Sequence, residues 1–162
     1  MRKIALIIFF VFFFFLIEFF IFNMLNHWLM PNLSLLLVAF MTLYFGIRHG
    51  LFTAILAGML QDSFGISMFG VNLFSFVVCA YMTVILRKYV YHLGAYAARL
   101  VLVAFISVIN VAIHFVLYLT FGVVHIGQTF QYIFLPEVLT TLLVSPFVFQ
   151  ELKKCASRLY VS

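Results

Sequence analysis

Asp62 is the sole aspartate in a chain of 162 residues, and Ser63, Gly65, Ser67 and Gly70 follow it closely. A carboxyl group at the edge of an apolar segment has two uses. It can serve function within a membrane, or it can accept backbone N–H groups of a glycine-rich turn. No second acid stands nearby in sequence, which favours the structural use. Glu18 lies inside a long apolar run, where an ionised group is costly. It must be protonated or meet a polar group on another helix, for which Asn72, Cys79 and Thr83 of the fourth apolar segment are candidates. Ser107, Asn110, His114 and Tyr118 recur at three- and four-residue steps in the fifth. Such a stripe can line a proton or ligand path, but more often it is hydrogen-bond glue between helices, worth about 0.6 kcal/mol per contact. Glu137 follows Pro136 at the start of the last apolar segment, where a helix dipole favours an anion.

Counting excludes several chemistries. Intramembrane aspartyl proteases and lipoprotein signal peptidase need two aspartates, one to activate water and one to share the proton; this chain has one. It contains no Gly-x-Ser-x-Gly elbow, His-Glu-x-x-His zinc pair or P-loop. Cys79 and Cys155 have neither pairing nor metal-ligand spacing. The expectation is a non-enzymatic protein without catalytic residues, metal or cofactor.

The elements that position these groups follow from composition. Apolar residues make up 67% of the chain and charged residues 8%, against about 25% charged in soluble domains. So few charges cannot coat a water-facing surface, which leaves lipid as the solvent. The net charge of +5 does not indicate nucleic-acid binding. The bases punctuate apolar runs and form no interleaved aromatic–basic surface. Arg2-Lys3 and the run after them resemble a signal peptide. The run Ile4–Leu25 is longer than the usual h-region of about 7–15 residues and no small-x-small site follows it. It reads as an uncleaved first span.

Crossing a hydrocarbon core of about 30 Å takes about 20 helical residues. The segments 4–25, 69–86, 100–121 and 132–150 meet or approach that length. The stretch 33–60 is interrupted at Arg48-His49-Gly50. As one helix it would bury Arg48 near mid-membrane, at about 2.5–3.5 kcal/mol. As a hairpin of two short helices, 33–47 and 51–64, it puts all nine Lys and Arg on one side, as the positive-inside rule requires. The expected fold is a single all-α membrane domain, a six-transmembrane-helix bundle with short second and third helices. Both termini are expected in the cytoplasm and the bundle in the inner membrane. Short helices must be covered by the others or thin the bilayer. Trp28 and Tyr132 fall at expected interfaces. The longest aqueous pieces expected are the Arg87–Arg99 loop and the last dozen residues.

Gly50, Ala54, Gly58 and Asp62 follow four-residue steps. Small residues so spaced let two helix backbones approach closely, either inside this bundle or against a partner. Together with Pro31-Asn32-Leu33, Gly65 and Gly70, in the stretch GLFTAILAGMLQDSFGISMFG, this pattern resembles the rod-shape-determining protein MreD family of bacteria. The convincing part spans residues 31–86; a basic C-terminal tail and Pro146 in the last helix agree with it. The resemblance implies a non-enzymatic scaffold of cell-wall elongation, which maintains rod shape and organises lateral peptidoglycan synthesis. It implies as partners an MreC-like bitopic scaffold protein, an MreB-like actin homologue and the transpeptidase and glycosyltransferase of the elongation complex. The family is also distantly similar in architecture to the substrate-binding subunit of energy-coupling-factor vitamin importers. That rival function would need an outward-opening cavity lined by Asn72, Asn110, His114 and Glu137.

Overall fold

The computed structural model describes residues 2–24, 31–64, 69–90, 95–121 and 135–160, all in helices or the turns joining them. Six helices follow in order: α1 Arg2–Met24, α2 Leu33–Phe45, α3 Ile47–Phe64, α4 Val71–Val90, α5 Ala95–Phe121 and α6 Leu135–Tyr160. No strand occurs among the described residues.

The shortest helix is the centre of the bundle. α2 has 13 residues, and ten in succession, Leu33 to Thr42, are buried. Its sequence LSLLLVAFMTLYF offers no polar face, and a helix apolar all round is stable against other helices or against lipid; here it is other helices that enclose it. α3 and α4 pack on it most extensively, α1 and α6 on its remaining sides, and α5 touches it lightly. Leu37 and Phe40 are 0% and 1% exposed, and Phe40 meets the edge of Phe149 of α6 at 5.6 Å. At about 1.5 Å per residue α2 is only some 20 Å long. Its shortness is absorbed by the surrounding helices.

The α2–α3 break falls at Gly46, not at Arg48-His49-Gly50, and α3 is not short. Gly46 has φ +88°, a left-handed conformation that glycine takes without steric cost. The three residues expected in the loop form the first turn of an 18-residue α3. Gly50 serves packing instead: a Cβ there would strike Thr42 Oγ1 and come within 2.8 Å of Thr42 Cβ. Two further expectations are corrected. Helix α4 runs to Val90 and α5 begins at Ala95, so little of the Arg87–Arg99 stretch is loop. Helix α6 continues through the basic tail to Tyr160. There Lys154 and Glu151 pair at 2.7 Å, both exposed. Gly65, Trp28, Tyr132 and the stretch 122–134 lie outside the described residues.

The outside is apolar. Phe9, Phe12, Phe13 and Phe20 of α1, Phe105 of α5 and Leu143 and Phe147 of α6 each expose close to half of their surface or more. Two segments, Val71–Tyr89 and Ala97–Leu117, are long and apolar enough to cross a membrane.

Candidate functional site

Glu18, Asn32, Gln61, Asp62, Asn72, His114 and Glu137 collect at one end of the bundle, around the beginnings of α2, α4 and α6. Each of these three helices starts with N–H groups that have no intrahelical acceptor; α2 and α4 each meet a carboxyl group from another helix, and α6 carries Glu137 in its own first turn.

At α2, Asn32 caps the helix, its Oδ1 accepting from the Leu35 N–H at 2.9 Å. Glu18 of α1 then accepts the Ser34 hydroxyl at 2.7 Å and the Ser34 N–H at 3.3 Å through one oxygen. Its other oxygen accepts Gln61 Nε2 of α3 at 2.8 Å. The polar groups that the sequence offers Glu18 are on the fourth and fifth helices. Its partners are on α2 and α3, because α1 packs on those two helices. Serine right after a helix cap was the available signal. Asn32 reaches α6 as well: its side chain donates to Glu137 Oε1 at 3.1 Å and its N–H to Thr141 Oγ1 at 2.9 Å. Glu137 itself lies in the first turn of α6.

Replacing Glu18 by Gln puts an amide NH2 where two donors now find an acceptor. Ser34 is 2% exposed, and a buried donor left unmet costs about 1–3 kcal/mol. The expected result for Glu18→Gln is a lower thermal midpoint in detergent with α1 loosened, read as faster hydrogen exchange in residues 6–21 than in α5. An unchanged midpoint and unchanged exchange would show that Glu18 does not fasten α1.

At α4, Asp62 accepts three backbone N–H groups: Gly70 at 2.9 Å, Asn72 at 3.1 Å and Leu73 at 3.1 Å. The side chain is 4% exposed. Gly70 has φ +100°, which turns the chain so that these amides face back toward the end of α3. Gly58, one helical turn before Asp62, explains how α3 comes so near: a Cβ there would run into Leu73 Cα and lie 2.8 Å from Leu73 N. Ala54 and Ala57 are 0% and 2% exposed. The small-residue face is therefore filled by α2 and α4 of the same chain.

Beyond Asp62 the chain of contacts continues into α5. Asn72 Oδ1 lies 3.0 Å from His114 Nε2, and His114 Nδ1 lies 2.8 Å from the Asn110 carbonyl. Asn110 Oδ1 accepts the Ser75 hydroxyl at 2.6 Å. Cys79 Sγ donates to the Ile106 carbonyl at 3.7 Å. Asn72, Asn110 and His114 thus form one group across the α4–α5 seam, while Glu137 belongs to the other group at α2. Ser107 Oγ alone among the described buried side-chain N and O atoms has no partner.

These bonds also fix which helix ends are neighbours. Glu18 near the end of α1 meets the start of α2 and the end of α3; Asn72 at the start of α4 meets His114 toward the end of α5; Asn32 meets the start of α6. At the opposite end, Arg87 Nη1 of α4 donates to the Leu43 carbonyl of α2 at 3.1 Å. The nine bases of the sequence all fall toward that opposite end, and of the four acids only Glu151 does.

An apolar exterior over helices fastened by buried polar bonds defines an all-helical membrane protein. The family model for rod shape-determining protein MreD matches residues 1–154. The chain belongs to the MreD family, and with it to the determination of rod shape. Comparison with curated proteins and with solved structures returned no match. Nothing in the family match supports the vitamin-importer alternative.

Proposed function

We propose that the chain is a non-enzymatic scaffold of the cell-wall elongation complex, crossing the bacterial inner membrane six times with both termini in the cytoplasm. The single observation that carries this reading is the family match over residues 1–154. The orientation is supported by the gathering of the bases at one end of the bundle, which the positive-inside rule assigns to the cytoplasm. The non-catalytic reading is supported by how the candidate groups are used: Asp62, Glu18 and Glu137 accept hydrogen bonds that hold helices in place. The partners are an MreC-like bitopic protein within the membrane, an MreB-like filament on the cytoplasmic side, and the transpeptidase and glycosyltransferase that act with them.

With the Gly50–Gly58 face occupied internally, the surface we assign to a partner's transmembrane helix is the aromatic outside of α1, where exposed phenylalanines are densest. Phe9 and Phe13 stack there at 6.1 Å and are 63% and 47% exposed. Depletion of the protein from a rod-shaped host is expected to give rounded cells, and expression of the wild-type chain to restore rods. Phe9→Ala with Phe13→Ala should leave the amount of protein in the membrane unchanged and lower recovery of the bitopic partner in mild detergent severalfold. Full recovery of the partner by this double variant would move the docking surface away from α1. Rods that persist after depletion would end the scaffold reading itself.

A further inference from the structure

Two neighbouring helices carry outward apolar stripes that end in a base at the same end of the bundle. On α3 the exposed positions Ile55 and Phe52 lead, at three- and four-residue steps, to exposed Arg48. On α4, exposed Tyr81 and Ile85 lead in the same way to exposed Lys88. Residues so spaced share a helix face, and α3 and α4 form the most extensive helix pair in the bundle. Arg87, next to Lys88, is exposed as well, and donates to the Leu43 carbonyl. The turn at Gly46, two residues before Arg48, leaves open space on that side, since a Cβ there would meet nothing within 4 Å.

We propose that this surface is a binding site for an anionic phospholipid. Its acyl chains lie along the two stripes, and its phosphate lies between the Arg48 guanidinium and the Lys88 ammonium. The pairing of chemistries selects this occupant. A soluble acidic peptide would meet the bases but leave the stripes unmatched. A zwitterionic lipid would match the stripes but gain less from two cations, because basic residues at a membrane surface are attracted to net negative headgroups. The opposite ends of the same helices offer exposed Phe64 and Phe69 without a base, so the site is confined to one leaflet. It does not depend on the scaffold role, only on the chain residing in a membrane.

The test is native mass spectrometry of the full chain released from nanodiscs containing equal phosphatidylglycerol and phosphatidylethanolamine. Phosphatidylglycerol adducts are expected to outnumber phosphatidylethanolamine adducts. The double variant Arg48→Gln, Lys88→Gln should lower that preference on the order of tenfold, and Arg48→Lys, Lys88→Arg should keep it. Both positions are exposed, and unchanged thermal midpoints in detergent would show that the variants fold. With the wild-type chain alone, the anionic preference should fall as salt rises through the range where screening becomes short-ranged. Adding inorganic phosphate at matched ionic strength should leave the adducts in place, which separates a lipid site from a phosphate site. Equal retention of the two lipids, or a preference that survives loss of both charges, would overturn the proposal. So would a Gln variant that keeps its lipid preference yet loses a co-purifying acidic protein.

Discussion

Gly58→Leu is expected to abolish rod-shape complementation by preventing α3 from seating on α4. The contact is backbone to backbone: even a single Cβ at position 58 meets Leu73 Cα and N, and no rotamer of Leu relieves a clash at Cβ. Inserting bulk into a packed interior costs about 1–3 kcal/mol where side chains can adjust; here the helix itself must shift. A shift there also withdraws Asp62 from the amides of α4, so two losses are coupled. Gly58→Ala should show the same effect in weaker form. The measurement is membrane abundance together with thermal unfolding in detergent. A Leu variant with wild-type abundance and midpoint would mean that the α3–α4 approach is not as close as described. Loss of partner recovery in this variant would not identify a docking face, since the fold is lost first.

Asp62→Ala should be nearly as damaging for a different reason. Three N–H groups at the start of α4 converge on this one carboxyl group. Removing it from a site 4% exposed leaves donors without acceptors at about 1–3 kcal/mol each, on the order of 3 kcal/mol or more in all. Asp62→Asn should fall between, since the amide keeps one oxygen acceptor and turns an NH2 toward the remaining donors. The readout is hydrogen exchange: amides 70–73 should lose protection in both variants ahead of those in α2. If residues 70–73 stay protected in Asp62→Ala, water supplies the acceptors and the carboxyl group has some other use.

Much of the frame was legible in the sequence. Six apolar segments gave six helices because a long apolar stretch has few other fates in lipid, and the bases marked the ends. The glycine turn after Asp62 disclosed its acceptor role, since that carboxyl group had amides within reach and no second acid. What could not be read is which helix is central. Leu33–Phe45 is hardly more apolar than Arg2–Met24, and only the packing distinguishes an enclosed helix from a lipid-facing one. The α2–α3 break was misplaced for a related reason. Arg48 and His49 look like a polar loop, but a reversal needs backbone freedom more than polarity, and Gly46 supplies it. The bonds from Glu18 to Ser34 and Gln61 bridge 16 and 43 positions, distances at which sequence spacing carries no signal.

The enclosure of α2 bears on how the protein is made. The Asn32 N–H finds its acceptor in Thr141, 109 positions later, so the innermost helix leaves the ribosome well before the helix that forms its last wall. During that interval one flank of α2 is held by lipid or by the insertion machinery. A nascent chain stopped before α6 therefore presents an unfinished seam, which makes α6 the helix whose loss quality-control proteases should detect first.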